Sequence, residues 1–248
     1  MPLLATALGL SLLGSCGGLL VASSLLLFTQ RIRTRIVPWL VSYAVGALLG
    51  VALLALLPEA LDTLRPSAVF GTLLFGILTF FILEKLVLIR HCHTDECSVH
   101  GATVPLVLIG DAFHNFIDGA IICTAVLTSV PLGINTAIAV AAHEIPQEVG
   151  DVAILLSAGY SRGGALMLNL VSGASGLVGA LVAYAAVGVV PGVRPYILAF
   201  SSASLLYIAM SDLIPDLHRG AIDRNAPRQV LLIAAGIGTI VMFERLIG

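Results

Sequence analysis

Nine residues in two short strings carry most of what could do chemistry in this chain. Asp111, His114, Asn115 and Asp118 form the first; His143, Glu144, Gln147, Glu148 and Asp151 form the second. Five carboxylates and two imidazoles thus gather in a region with no Lys or Arg between Arg90 and Arg162. Without a protein cation to pair them, these acids call for protons, a sodium ion or a divalent metal. At about 100° per residue on a helix, the members of the first string fall within one sector. His114 and Asp118 are four apart, so both can address one ion. His143, Gln147 and Asp151 make an i, i+4, i+8 row, and Glu144 and Glu148 flank it on one side. Two such faces turned toward each other form a pocket of imidazole, carboxylate and amide. Imidazole is borderline soft and suits zinc, iron or nickel, whereas an all-oxygen site suits Mg²⁺, Ca²⁺ or Mn²⁺. The two histidines therefore favour a transition metal.

The elements that must position these strings are set by composition. Of 248 residues, 58% are hydrophobic and 10% are charged, against roughly 25% charged in a soluble domain. Mean hydropathy is +1.07. The 12 basic and 14 acidic side chains cannot cover a globule of this size. That excludes a cytosolic enzyme, a secreted domain and a disordered chain, and leaves a polytopic membrane protein. Eight apolar stretches can be drawn: Leu3–Phe28, Val37–Leu57, Val69–Leu88, Val104–Val130, Leu132–Ala158, Ala165–Val190, Tyr196–Ile214 and Val230–Ile247. Each is near or above the ~20 residues a spanning helix needs, and none alternates as a barrel strand does. The expected fold is an all-α polytopic membrane bundle of eight helices, with residues 1–248 as one transmembrane domain.

The two strings fall in the fourth and fifth stretches. A charge inside a span costs at least ~2.5–3.5 kcal/mol on insertion scales, so intramembrane acids mark function. A polar network that only ties helices together has little need of five. Pro146 has no N–H to offer the Ala142 carbonyl, which predicts a kink in the fifth helix, tolerated where backbone lines a polar cavity. The first stretch lacks a basic n-region and exceeds the ~7–15 apolar residues of a leader, so it reads as a true span. With the N-terminus outside, nine of the twelve basic residues lie on inner loops: Arg31, Arg33, Arg35, Lys85, Arg90, Arg162, Arg219, Arg224 and Arg228. Arg65, Arg194 and Arg245 lie outside. This excess places both termini outside. Cys92 and Cys97 then face the cytoplasm, where disulfides are rare.

The strings Gly-Asp-Ala-Phe-His-Asn-Phe-Ile-Asp-Gly at 110–119 and His-Glu-Ile-Pro-Gln-Glu-Val-Gly-Asp at 143–151 resemble the two signature helices of the ZIP (Zrt-, Irt-like protein) family of divalent metal transporters. The second is close to the subfamily pattern His-Glu-x-Pro-His-Glu-x-Gly-Asp. The resemblance implies movement of Zn²⁺, or of Fe²⁺ or Mn²⁺, toward the cytoplasm, the metal being substrate and not cofactor. It assigns a primary site to His114, Asp118, His143, Glu144 and Gln147. Candidates for a second, adjacent metal are Asn115, Asp118, Glu144 and Glu148. Two departures bear on this. Gln147 stands where the family has a second histidine, and an amide oxygen is a weaker, harder ligand than imidazole, so less strict zinc selectivity is expected. The stretch Ser172–Gly176 lacks the acid that relatives with two metals supply from the sixth helix, so one transported ion is expected.

Other features carry further expectations. The loop His91–His100 holds three histidines, two cysteines and two acids and is a candidate for weak metal binding. The small residues Gly173, Ala174, Ser175, Gly176, Gly179 and Ala180 imply close helix packing, inside the chain or across a homodimer. Trp39 and Tyr43 sit where interface belt residues do. Leu56-Leu57-Pro58-Glu59 and Leu213-Ile214-Pro215-Asp216 end the second and seventh spans at opposite faces. An inverted repeat relating spans one to three to spans six to eight, around the fourth and fifth, would place them so. Glu59 would then lie at the outer mouth, and Asp212, Asp216 and His218 at the inner one. Eleven arginines to one lysine suggest a bacterial inner membrane. The lipid bilayer is an expected partner; nucleic acid is not. The alternative classes are an intramembrane zinc metalloprotease, since His143-Glu144 opens as HExxH does but meets Gln at 147, and an ion-coupled carrier of organic substrates.

Overall fold

The computed structural model describes residues 2–25, 27–89, 103–218 and 226–247. The loop His91–His100, with Cys92 and Cys97, lies outside the described residues, as do Arg90, Arg219 and Arg224. Among the described residues there is helix and no strand. Helix α1 is Pro2–Leu25. Helix α2 opens as Gln30–Gly50, passes through a π-helical stretch Val51–Leu56 and ends as Leu57–Thr63. Then come α3 (Pro66–Ile89), α4 (Thr103–Thr128) and α5 (Val130–Ser157). Helix α6 is Arg162–Gly173 and Ser175–Val189, interrupted at Ala174. Helix α7 is Arg194–Tyr207, a π-helical stretch Ile208–Leu213 and Ile214–His218; α8 is Ala226–Ile247.

Seven of these are long and apolar enough to cross a membrane. The eighth, α5, has 28 residues and carries Glu144, Glu148 and Asp151. The expected spans are all present, and α2 is longer than expected at both ends. Residues 31–35, expected in a loop, form the opening of α2. Helix α5 runs on through Pro146.

Local chemistry sets the ends of the site-bearing helices. Ser129 caps α5 by accepting a hydrogen bond from Leu132 N at 3.2 Å, and Pro131 in the first turn has no N–H to leave unpaired. At the other end Gly159 takes φ +91°, which only glycine adopts without cost. It closes a Schellman motif in which Tyr160 N donates to Leu155 O and Gly159 N to Leu156 O, both at 3.1 Å. Ser161 then caps α6 through Gly164 N. The short link forces α5 and α6 to run antiparallel.

The helices pack as two groups of four. In one, α1 lies against α4 and α5, and α4 against α5 and α6; in the other, α2 lies against α8 and α7, and α3 against α7. The groups meet where α2 crosses α5 and α7 crosses α4. Exchanging α1 with α6, α2 with α7, α3 with α8 and α4 with α5 maps the α1–α5 pair onto α4–α6, α2–α8 onto α3–α7 and α2–α5 onto α4–α7. The internal symmetry extends to the π-helical stretches, each of which ends two residues before a proline, Pro58 or Pro215. In these stretches Leu57 N donates to Ala52 O and Ile214 N to Ala209 O, a five-residue step. That step shifts the ladder by one, so a carbonyl facing the missing proline N–H can take the next donor. The pattern is the one expected of an inverted repeat.

Glycine permits the closest crossings. A Cβ on Gly119 of α4 would strike the Gly176 carbonyl of α6, and one on Gly179 would strike the Phe116 carbonyl. Ser172 and Ser175 of α6 add hydrogen bonds to the Leu108 and Ala112 carbonyls of α4. The small residues Gly173, Gly176, Gly179 and Ala180 are buried within the chain. These four residues of the stripe therefore serve packing within the chain. Tyr43 likewise serves as an interhelix link, donating to Thr239 Oγ1 of α8 at 3.0 Å, while Trp39 lies under the Arg228 guanidinium, 4.7 Å from its ring centroid.

Candidate metal site

Helices α4 and α5 cross face to face and bring the two strings together. Four side chains converge: His114 and Asp118 from α4, and His143 and Glu144 from α5, each offering one ligand atom. His114 Nε2 stands 2.9 Å from His143 Nε2. Asp118 Oδ2 lies 3.5 Å from His114 Nε2 and 3.1 Å from His143 Nε2. Glu144 Oε1 lies 3.5 Å from the first imidazole nitrogen and 3.6 Å from the second. Asp118, His143 and Glu144 are buried, and His114 is partly open.

These separations can be compared with what an ion requires. Zinc bonds of ~2.0–2.1 Å at tetrahedral angles put neighbouring ligand atoms roughly 3.3 Å apart. The five separations run from 2.9 to 3.6 Å and bracket that value. His143 is also oriented as a ligand. Its Nδ1 lies 3.2 Å from the Ala139 carbonyl, the partner that keeps the proton on Nδ1 and leaves Nε2 a free lone pair.

Asp111, Asn115 and Gln147 do something different. Asp111 Oδ1 accepts hydrogen bonds from Asn115 Nδ2 at 2.9 Å and from Gln147 Nε2 at 3.1 Å. Asn115 Nδ2 also donates to the Asp111 carbonyl. Through their amide nitrogens Gln147 and Asn115 thus hold Asp111. Asp111 in turn forms a second group with Glu144 and Glu148, three buried carboxylates whose oxygens lie within 4.8 Å of one another. Sequence reasoning named Asp111 as part of the acidic cluster but did not assign it to a metal. The signal available was its position, one turn before His114 on the same face. Asn169 of α6 was missed altogether; it is fully buried beside Glu148.

A cavity of about 620 Å³ reaches the site from one side. It is lined by His114, His143, Gln147 and Asp151, and farther out by Asp212 and Asp216 of α7. No Lys or Arg lines it among the described residues. Glu84 of α3 also reaches this cavity and accepts a hydrogen bond from Tyr207. His218, expected at the same mouth, is not part of the lining; its Nδ1 turns back to the Ile214 carbonyl at 2.9 Å. Glu59 lines a separate cavity of about 340 Å³, shared with Arg194 at the opposite ends of the helices. Between the two, Leu56, Ile121, Leu198 and Leu205 belong to one buried apolar cluster.

Comparison with known proteins agrees with this architecture. The family model described as ZIP zinc transporter matches residues 89–244, a region that contains both strings. The zinc transporter ZIP13 of Pongo abelii is 35% identical over 220 residues, which cover 83% of this chain and 66% of that protein. The zinc transporter ZIP13 of Homo sapiens is 32% identical, covering 83% and 70%. The zinc transporter YKE4 of Saccharomyces cerevisiae is 30% identical, covering 83% and 70%. The chain thus spans about two thirds of the length of these relatives. A match that takes in the helices bearing both strings, together with relatives aligned over most of the chain, places the protein in the ZIP zinc transporter family.

Proposed function

We propose that this protein carries divalent transition-metal ions, zinc foremost and iron or manganese after it, across a membrane. The four-residue group His114–Asp118–His143–Glu144 is the intramembrane binding site, and the metal is substrate. The observation that carries this reading is the set of separations around 3.3 Å among four ligand atoms in a span with no protein cation. Asn115, Gln147 and Glu148 support the site from behind or beside it. The protein is a multi-pass membrane protein, with residues 1–248 acting as one transport domain in contact with lipid. The basic-residue distribution supports both termini outside, the eleven arginines to one lysine suggest a bacterial inner membrane, and the family resemblance implies transport toward the cytoplasm.

A proteolytic role is not supported. Position 147 is Gln, its amide is engaged with Asp111, and the relatives are named as transporters. Flux into proteoliposomes, with Zn²⁺, Fe²⁺, Mn²⁺ and Cd²⁺ in competition, tests the reading. Protein-dependent zinc entry that the other ions inhibit is expected. Entry no faster than into empty vesicles would overturn it.

A further inference from the structure

Two arginines at one end of α2 and α8 take no part in the metal site and share an aromatic neighbour. The two helices run parallel and in contact, with Gly46 against Ile233 and Gly50 against Ile237. Their N-terminal ends therefore lie at the same end of the bundle. There Arg228 of α8 holds its guanidinium over the Trp39 ring of α2, 4.7 Å from the centroid. Arg35 stands four residues before Trp39, on the same face of α2. Both arginines are exposed, and among the described residues no acid pairs with either. They stand at the openings of two spans long and apolar enough to cross a membrane, Arg35–Thr63 and Ala226–Leu246. That puts the patch at the depth of the lipid headgroups. One turn farther along α8, Val230 and Leu231 are 65% and 68% exposed, an apolar surface at the depth of the acyl chains.

We propose that Arg35, Arg228 and Trp39 form a binding site for the headgroup of an anionic phospholipid, whose acyl chains lie along Val230 and Leu231. A guanidinium held over an indole by its face keeps its N–H edge for other partners, and that edge matches a phosphate bidentately. Basic pockets between spanning helices on the cytoplasmic side are suited to acidic headgroups, and the proposed topology puts this end of the bundle there. The exposed apolar surface beside the cations favours a lipid over free phosphate. The site also bears on the metal path. Val37 and Val41, each about 200° around α2 from Arg35 and Trp39, line the larger cavity. A lipid held by α2 and α8 together braces that wall of the cavity, an effect on flux that rests on the transport reading.

Trp39 is the only tryptophan in the chain, so its fluorescence reports on the site directly. The protein is reconstituted in phosphatidylcholine vesicles holding a minor fraction of either phosphatidylglycerol or phosphatidylcholine brominated in the acyl chains. Brominated phosphatidylglycerol should quench Trp39 with an apparent affinity about fivefold or more above that of the brominated phosphatidylcholine. In the Arg35→Gln, Arg228→Gln double variant the two lipids should quench alike, whereas Arg35→Lys with Arg228→Lys should keep part of the preference. Equal quenching by both lipids in the parent would overturn the proposal, as would an undiminished preference in the glutamine variant. Loss of the preference on adding inorganic phosphate at constant ionic strength would also overturn it, by making the ligand a free anion. Phosphatidylglycerol should raise zinc entry at least about twofold more in the parent than in the glutamine variant. An equal gain in both would overturn the bracing role. A clear lipid preference with no zinc entry in any vesicle would contradict the transport reading and leave the lipid site standing.

Discussion

Each of His114, Asp118, His143 and Glu144 contributes one atom to a four-cornered site, so no corner is redundant. Alanine at any one should cut zinc flux by at least about tenfold, a loss that even residues behind a metal ligand commonly cause. Size-exclusion profiles should stay those of the parent. Near-normal transport in both histidine variants would contradict the assignment. Gln147 is the position where a substitution should change selectivity. Gln147→His offers imidazole in place of an amide and should shift competition toward Zn²⁺ over Mn²⁺ by roughly three- to tenfold. An unchanged profile would mean that residue 147 acts only by holding Asp111. The four converging residues were legible as candidates from residue type and helical spacing, since a charge inside a span is too costly to persist without a role. The role of Asp111 was not, because spacing along one helix cannot say which acids of two helices share an ion. Asn169 was invisible for a related reason. A lone amide among small and apolar residues ordinarily ties helices together, and only burial without a partner marks it out.

The helices were legible as apolar runs, but their irregularities were not. Nothing in the composition of Val51–Leu56 or Ile208–Leu213 distinguishes a π-helical stretch from an α-helical one. The prolines that follow gave the only hint. Placing those prolines in equivalent positions of α2 and α7 also puts an acid just beyond each, Glu59 in one cavity and Asp216 in the other. An acid at a mouth concentrates cations by its local field. Glu59→Gln should therefore raise the apparent KM for external metal about two- to fivefold with little change in maximal rate. Asp216→Asn should lower the maximal rate. Normal kinetics in both variants would remove the gates from this account. The crossing of α4 and α6 is a separate matter of packing. Gly179→Leu drives a side chain into the Phe116 carbonyl and should cost about 1–3 kcal/mol or more, as overpacking does. Thermal unfolding of the purified variant would show it as a lowered Tm.

For the whole molecule, the two mouths decide how metal enters and leaves. The larger cavity reaches the histidines from the ends of α4 and α5 that carry Thr103 and Ser157, while buried apolar side chains fill the other half. In the proposed topology, with both termini outside, the open side faces the cytoplasm. In a background without native cysteines, an impermeant thiol reagent applied to intact cells should label Ser67→Cys and spare Tyr160→Cys. The reverse pattern would invert the proposed topology. The central claim, however, is that two imidazoles and two carboxylates hold the metal within the bundle. X-ray absorption at the zinc K-edge of protein loaded with one zinc per chain tests it most directly. The account predicts two nitrogen and two oxygen ligands at about 2.0–2.1 Å, with one imidazole lost in His143→Ala. A sulfur shell, or six oxygens with no imidazole, would contradict it.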